Sequence, residues 1–238
     1  MNRFVLVATF AMASFAQLLP VAADVSVVSQ RRIVQGDTFA IDGFFFEDGD
    51  AASDRIASSQ PGLFDESIDV TADTGFAGNA RAKAEQLSSI SDPTTQGPEL
   101  FISAEGSAES LVYIQGSADT RADSFFRVDF SLENAGEIAF EDVALSVSSG
   151  VNQGSASEAR VILRVIDRDS GTRVYNKVVR LDDQGTAQTF ADRFIVDLDA
   201  GRYRLILRAI AEDQTNGIEE LVADARASFF VEAEVTEH

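Results

Sequence analysis

From about Phe64 to Val235, apolar and polar residues take turns along the chain with a period of two. Tyr203, Leu205, Leu207 and Ala209 alternate with Arg202, Arg204 and Arg208, and Phe126, Val128, Phe130 and Leu132 alternate with Arg127, Asp129 and Ser131. Ala159, Val161, Leu163 and Val165 alternate with Arg160 and Arg164, and Phe229, Val231, Ala233 and Val235 with Glu232 and Glu234. Successive side chains of a strand point to opposite faces, so each run predicts a strand with one buried and one wet face. After residue 23 no segment carries a comparable helical stripe.

Turn signals separate the runs: Asn134-Ala135-Gly136, Asp167 to Gly171, Asp182 to Gly185, and Asp199-Ala200-Gly201. The apolar phase slips between Ile138/Phe140 and Val143/Leu145/Val147, which predicts a bulge or a sheet crossing at Glu141-Asp142. Proline stands only at 20, 61, 93 and 98, so nothing interrupts a ladder beyond residue 98. Many short strands with glycine-bearing turns predict an all-β, two-sheet antiparallel sandwich, jelly-roll-like, over residues 63–238. Ala80, Ala82 and Ala84, and Ala104, Gly106 and Ala108, fill alternate positions with small residues, which let a facing sheet or a large aromatic approach closely.

Residues 24–62 read as an N-terminal extension or arm, with Phe39 to Phe46 as a strand or packed segment and 47–60 as a loop; 88–98 reads as a second loop. Residues 1–23 have the build of a signal peptide: Arg3, an uncharged apolar run from Phe4 to Leu19, then Pro20-Val21-Ala22-Ala23 ahead of Asp24. The run is shorter than the roughly 20 apolar residues of a spanning helix. A secreted or periplasmic protein with no stable membrane insertion after cleavage is expected.

Charge and residue counts narrow the chemistry. The formal charge of −20 repels nucleic acid and anionic lipid. There is no cysteine, which removes disulfides, thiolate metal sites and thiol nucleophiles. His238, at the chain end, is the only histidine, so Ser-His-Asp catalysis and histidine zinc sites are not expected.

The small-residue strands, then Ala122-Asp123-Ser124-Phe125-Phe126-Arg127-Val128-Asp129-Phe130, then Leu198-Asp199-Ala200-Gly201-Arg202-Tyr203-Arg204-Leu205, follow a familiar order. The arrangement resembles exported bacterial β-sandwich proteins of the PEP-CTERM-associated type over roughly residues 64–235, with Ala200 where that group has proline. The segment from Glu232 to His238 lacks the group's sorting tail. The resemblance implies a sandwich and an exterior setting, and carries over no catalytic residues.

Three candidate chemistries remain. Asp48, Asp50 and Asp54, with Glu47 and Gly49, place carboxylates at close spacing for a calcium ion, which takes six to eight oxygens, although the spacing departs from an EF-hand loop. Asp167/Asp169, Asp182/Asp183 and Asp197/Asp199 are lesser clusters. Arg160, Arg164, Arg202, Arg204 and Arg208 fall on outward positions of two strands. Side by side they form a patch for the carboxylates or sulfates of an extracellular polysaccharide; alternatively they pair with Asp and Glu across the sheet. Tyr175, just past the 167–171 loop, is a candidate rim aromatic. Tryptophan is absent, and Phe125 and Phe230 are out of phase with their buried neighbours.

The expected function is therefore non-enzymatic: binding, or a structural role at the cell exterior. The alternatives are a binding module for acidic polysaccharide and a carboxylate-dependent glycan hydrolase or lyase. An exposed edge strand pairing with another copy or another envelope protein is a further route to assembly.

Overall fold

A computed structural model describes residues 25–42, 49–75, 78–91, 99–151, 155–181, 185–216 and 221–238. The expected signal peptide and its cleavage point therefore lie outside the described residues. Twelve strands follow one another: β1 (Ser26–Asp42), β2 (Gly49–Ser58), β3 (Phe64–Asp73), β4 (Gly78–Ile90), β5 (Leu100–Ile114), β6 (Gly116–Leu132), β7 (Gly136–Val151), β8 (Ser155–Asp167), β9 (Arg173–Arg180), β10 (Gln188–Leu198), β11 (Gly201–Asn216) and β12 (Leu221–Glu237). They form two six-stranded antiparallel sheets, β2-β1-β6-β11-β8-β9 and β10-β7-β12-β5-β4-β3. The sheets stack in register, β2 over β3, β1 over β4, β6 over β5, β11 over β12, β8 over β7 and β9 over β10. Only β1–β2, β3–β4, β4–β5 and β8–β9 are hairpins; every other connection passes between sheets.

The alternating runs land as expected. Phe126, Val128 and Phe130 of β6, Leu205 and Leu207 of β11, Val161, Leu163 and Val165 of β8, and Phe229 and Val231 of β12 are buried in one core. The phase slip is a bulge: Glu232 and Ala233 of β12 face Asp142 and Phe140, so Glu141 is the extra residue. Gly171 (φ 73°) turns the β8–β9 hairpin, and Gly201 closes the turn before β11.

The arm needs correcting. Residues 24–62 contribute β1, an interior strand between β2 and β6, and β2, an edge. Two features hid them. The inward row of β1 includes Gln30, Arg32, Gly36 and Thr38, so its buried face is not apolar in sequence. The edge strand β2 buries too little to need alternation, and Gly49 to Ser53 are small or polar. Likewise Ser88 to Ile90, expected in a loop, complete β4; residues 92–98 lie outside the described ones.

At the small-residue end the sheets draw closer than the ordinary spacing of about 10 Å. The Ser124 hydroxyl of β6 crosses to donate to the Glu85 carbonyl of β4 at 2.9 Å. Gly106 lies directly opposite Phe229, whose ring covers it, so the small residues do receive an aromatic of a C-terminal strand.

This end also buries a carboxylate. Asp213 is 1% exposed and accepts hydrogen bonds from the Ser157 hydroxyl, the Ser110 hydroxyl and the Ala225 amide. Burial outweighs these donors and pushes its carboxyl up to about 6. An unfolded aspartate titrates near 3.9, so its stabilising contribution is complete below about pH 4 and is lost as pH rises through 6. That rise corresponds to about 2–3 kcal/mol. Urea melts of Asp213→Asn and the native protein at both ends of that range should show the native chain losing this amount relative to the variant. Parallel pH profiles would contradict the assignment.

Candidate functional site

The outer face of the β2-β1-β6-β11-β8-β9 sheet gathers the candidate arginines, because the register aligns their strands. Arg204 lies opposite Asp129 and Ile166, Ile206 opposite Arg127 and Arg164, Arg208 opposite Phe125 and Ile162, and Ile210 opposite Asp123 and Arg160. Continuing across β9, Arg180 faces Arg160 and Arg173 faces Ile166.

The five arginines expected here divide into two groups. Arg202, Arg204 and Arg208 are neutralised: Arg202 grips Asp169 (Nε to Oδ1 2.8 Å), Arg204 grips Asp129 (Nε to Oδ1 2.6 Å, Nη2 to Oδ2 3.1 Å), and Arg208 grips Asp123 (Nε to Oδ1 2.9 Å) while its guanidinium lies over the Phe125 ring. Such two-pronged pairs are the strong form of the contact. For these three, the cross-sheet pairing alternative holds. Arg160 and Arg164 differ. Among the described residues Arg160 has only a 3.4 Å contact with Glu158, and its Nε is buried without a partner. Arg164 donates from Nε to the Asn176 side-chain oxygen at 2.6 Å and meets no carboxylate among the described residues. Burial first, then the fields of Arg173 and Arg160, lowers its pKa.

A second surplus surrounds Asp129. Ser29 donates to it at 2.8 Å, and Arg204, Arg168 (3.1 Å) and Arg127 (3.7 Å) converge on it. Burial alone would raise the Asp129 carboxyl, but the hydrogen bonds from Arg204 and Ser29 and the neighbouring positive charges hold it below its ordinary value. One carboxylate cannot offset three guanidinium groups. Burial, which outweighs the opposing field of Asp129 and is aided by those of Arg204, Arg31 and Arg168, lowers the pKa of Arg127, and its Nε has no partner among the described residues. Arg31 lies directly opposite Arg127 on β1. A net positive zone therefore runs from Arg31 through Arg127 and Arg164 to Arg173 and Arg180.

Arg31, Arg127, Arg173 and Arg180 were not singled out as site residues from sequence. Arg127 showed as an outward position of its strand. Arg173 and Arg180 belong to β9, whose inward row includes Lys177 and whose outward row includes Val178, so the strand has no clean alternation.

Tyr175 is on the opposite side of β9 from this zone. It pairs with buried Val165 and stacks on Phe194 at 4.5 Å between centroids, with Phe140 behind, closing the looser β9–β10 edge of the sandwich. Burial, then the charge of Asp192, raises its phenol pKa. Its role as a rim aromatic of the arginine face does not fit this placement. At the same edge Lys177 lies 4.0 Å over the Phe190 ring, beside a groove of about 430 Å³ that also touches Arg180.

Of the calcium candidates, Asp48 lies outside the described residues. Asp50 and Asp54 belong to β2 rather than to a loop, four residues apart on one side of the strand, a separation of about 13 Å. Oxygens sharing one calcium ion lie within about 5 Å of each other, so the strand does not bring this pair together. Asp50 instead accepts the Asp73 amide of β3 at 2.9 Å, tying the two sheets at that edge. Among the described residues no three acidic or histidine side chains converge as a metal site, and no helix is long and apolar enough to cross a membrane.

The outer face of the other sheet has the opposite sign. Glu105, Glu141, Glu232 and Glu234 cluster on β5, β7 and β12 with Leu87, Phe101 and Phe230, and none of these four carboxylates has a cationic partner among the described residues. Burial, then Glu99, Glu141 and Glu137, raises the Glu234 carboxyl.

No protein family and no curated protein matches the chain. Among solved structures, the VP2 subviral particle of infectious bursal disease virus aligns over 90% of this chain and 66% of that chain, at 12% identity and a TM-score of 0.14. The Gx strain of that virus aligns over 90% and 64%, at 11% identity and a TM-score of 0.16. The chain thus spans less than two thirds of those viral chains, and likenesses at such scores carry nothing about this protein's fold or function.

Proposed function

We propose that this protein acts at the cell exterior as a non-catalytic binding or structural protein, and that its arginine face holds an acidic polysaccharide. One observation carries the reading: arginines from four strands meet on one surface, and among the described residues Arg164, Arg173 and Arg180 have no carboxylate to neutralise them. Guanidinium groups are weakly hydrated forks that match carboxylates and sulfates. The signal-peptide pattern and the resemblance to exported sandwich proteins support the exterior setting, where such polymers occur. The chain's overall charge opposes any polyanion at long range, but the screening length at physiological salt is about 8 Å, so distant acids matter less than contacted arginines.

Affinity electrophoresis through gels containing alginate or a sulfated glycan tests this. The native chain should be retarded. Arg164→Ala/Arg173→Ala should weaken retention about tenfold or more, the equivalent of at least 1.4 kcal/mol. Arg202→Ala, whose partner is Asp169, should change it little. No retardation on either polymer, or equal losses in both variants, would remove the proposal.

A further inference from the structure

The two broad faces of the sandwich carry unbalanced charge of opposite sign, and both are studded with half-exposed apolar side chains. On the β10-β7-β12-β5-β4-β3 sheet, one cross-strand row reads Leu87, Glu105, Phe230, and Phe101 lies opposite Glu234 on the neighbouring pair. Leu87 is 45% and Phe101 43% exposed. On the arginine face, Ile206 sits between Arg127 and Arg164, and Ile162 between Arg208 and exposed Val178.

We infer that the acidic face is a docking surface for the arginine face of a second copy of this chain, so that copies associate head to tail. Apolar residues on each face meet their counterparts while glutamates meet the arginines that have no carboxylate partner among the described residues. Pairing like faces would set arginines against arginines or glutamates against glutamates, at a cost of several kcal/mol, so a symmetric two-fold dimer is disfavoured. A head-to-tail contact leaves one free face at each end and propagates as an open array unless it closes into a ring. The area suffices. Six strands at about 4.8 Å spacing and about ten residues of strand length cover roughly 900 Å², against about 800 Å² per partner in a stable complex. The net charge of −20 works against association, which therefore needs enough salt to screen the whole-molecule repulsion but not so much that face-to-face attraction is lost.

The inference shares its arginine face with the proposed function but takes a different partner, so polysaccharide and a second copy compete for that face. Sedimentation velocity at about 0.15 M salt and protein concentrations up to about 0.1 mM tests it. The average sedimentation coefficient should climb with concentration and fall to that of the monomer near 1 M salt. Arg164→Glu/Arg173→Glu and Glu105→Lys/Glu232→Lys should each weaken association about tenfold or more. Mixing the two variants should restore it, because one keeps a native acidic face and the other a native arginine face; restoration also shows that both are folded. A native chain monomeric throughout, either variant associating as the native chain does, or a mixture that stays monomeric would overturn the inference. Glu105→Lys/Glu232→Lys should still be retarded by alginate. Polymer binding without self-association removes only this inference, and self-association without polymer binding removes only the polysaccharide.

Discussion

Replacing Arg32 with alanine is expected to destabilise the fold by about 3–5 kcal/mol, a large part of the 5–15 kcal/mol that holds a typical domain together. Arg32 points inward from β1 and is 1% exposed. Its Nη1 donates to the Gly62 carbonyl at 2.7 Å, and its Nη2 donates to the Gln30 side-chain oxygen at 2.7 Å and the Gln60 carbonyl at 2.9 Å. The guanidinium lies 5.7 Å from the centre of the Phe64 ring. Among the described residues no carboxylate pairs with it; burial lowers its pKa, and arginine remains charged at neutral pH. The side chain clamps the 59–63 crossover that carries the chain from β2 to β3. Alanine leaves a cavity and three acceptors without donors. Urea unfolding measures the loss, and proteolysis within 59–63 should quicken in parallel. A loss below about 1 kcal/mol would mean that water replaces the guanidinium without cost.

Gly106→Val is the second large effect, about 3 kcal/mol or more of overpacking. A Cβ at position 106 falls within 2.7 Å of the Phe229 ring and well inside van der Waals contact with the Ser124 Oγ. Neither neighbour has room to yield: Phe229 is buried, and Ser124 is tied to the Glu85 carbonyl. If the ring is the obstacle, Phe229→Leu should recover part of the loss, and a double-mutant cycle should show favourable coupling of about 1 kcal/mol or more. Strictly additive costs would place the strain elsewhere.

These two positions differ in how far the sequence announces them. Gly106 stands in an alternating row of small residues, so a close approach there is readable from spacing, and the Phe229 row announces the aromatic. Arg32 gives no such signal. Charged residues rarely face inward, and two of its three acceptors are backbone carbonyls of a crossover 28 and 30 residues away. The same limit applies to the surface. Outward arginines are legible from the alternation of β8 and β11, but whether each is neutralised depends on register between distant strands. Arg204 meets Asp129 because β11 pairs with β6, whereas Arg164 meets Arg173 and Asn176 because β8 turns back on β9. Period-two patterning identifies faces; it does not identify neighbours. Edge strands escape it for a related reason, since β2 has too little burial to impose a pattern.

The proposed function requires the arginine face to be an anion-binding surface at Arg127, Arg164, Arg173 and Arg180 rather than a fully neutralised lattice. Phenylglyoxal modification mapped by mass spectrometry, with and without a polyuronate, tests this residue by residue. The polymer should slow modification of those four arginines and leave Arg202, exposed but held by Asp169, at its original rate. Equal protection of Arg202, or no protection at Arg164 and Arg173, would contradict it.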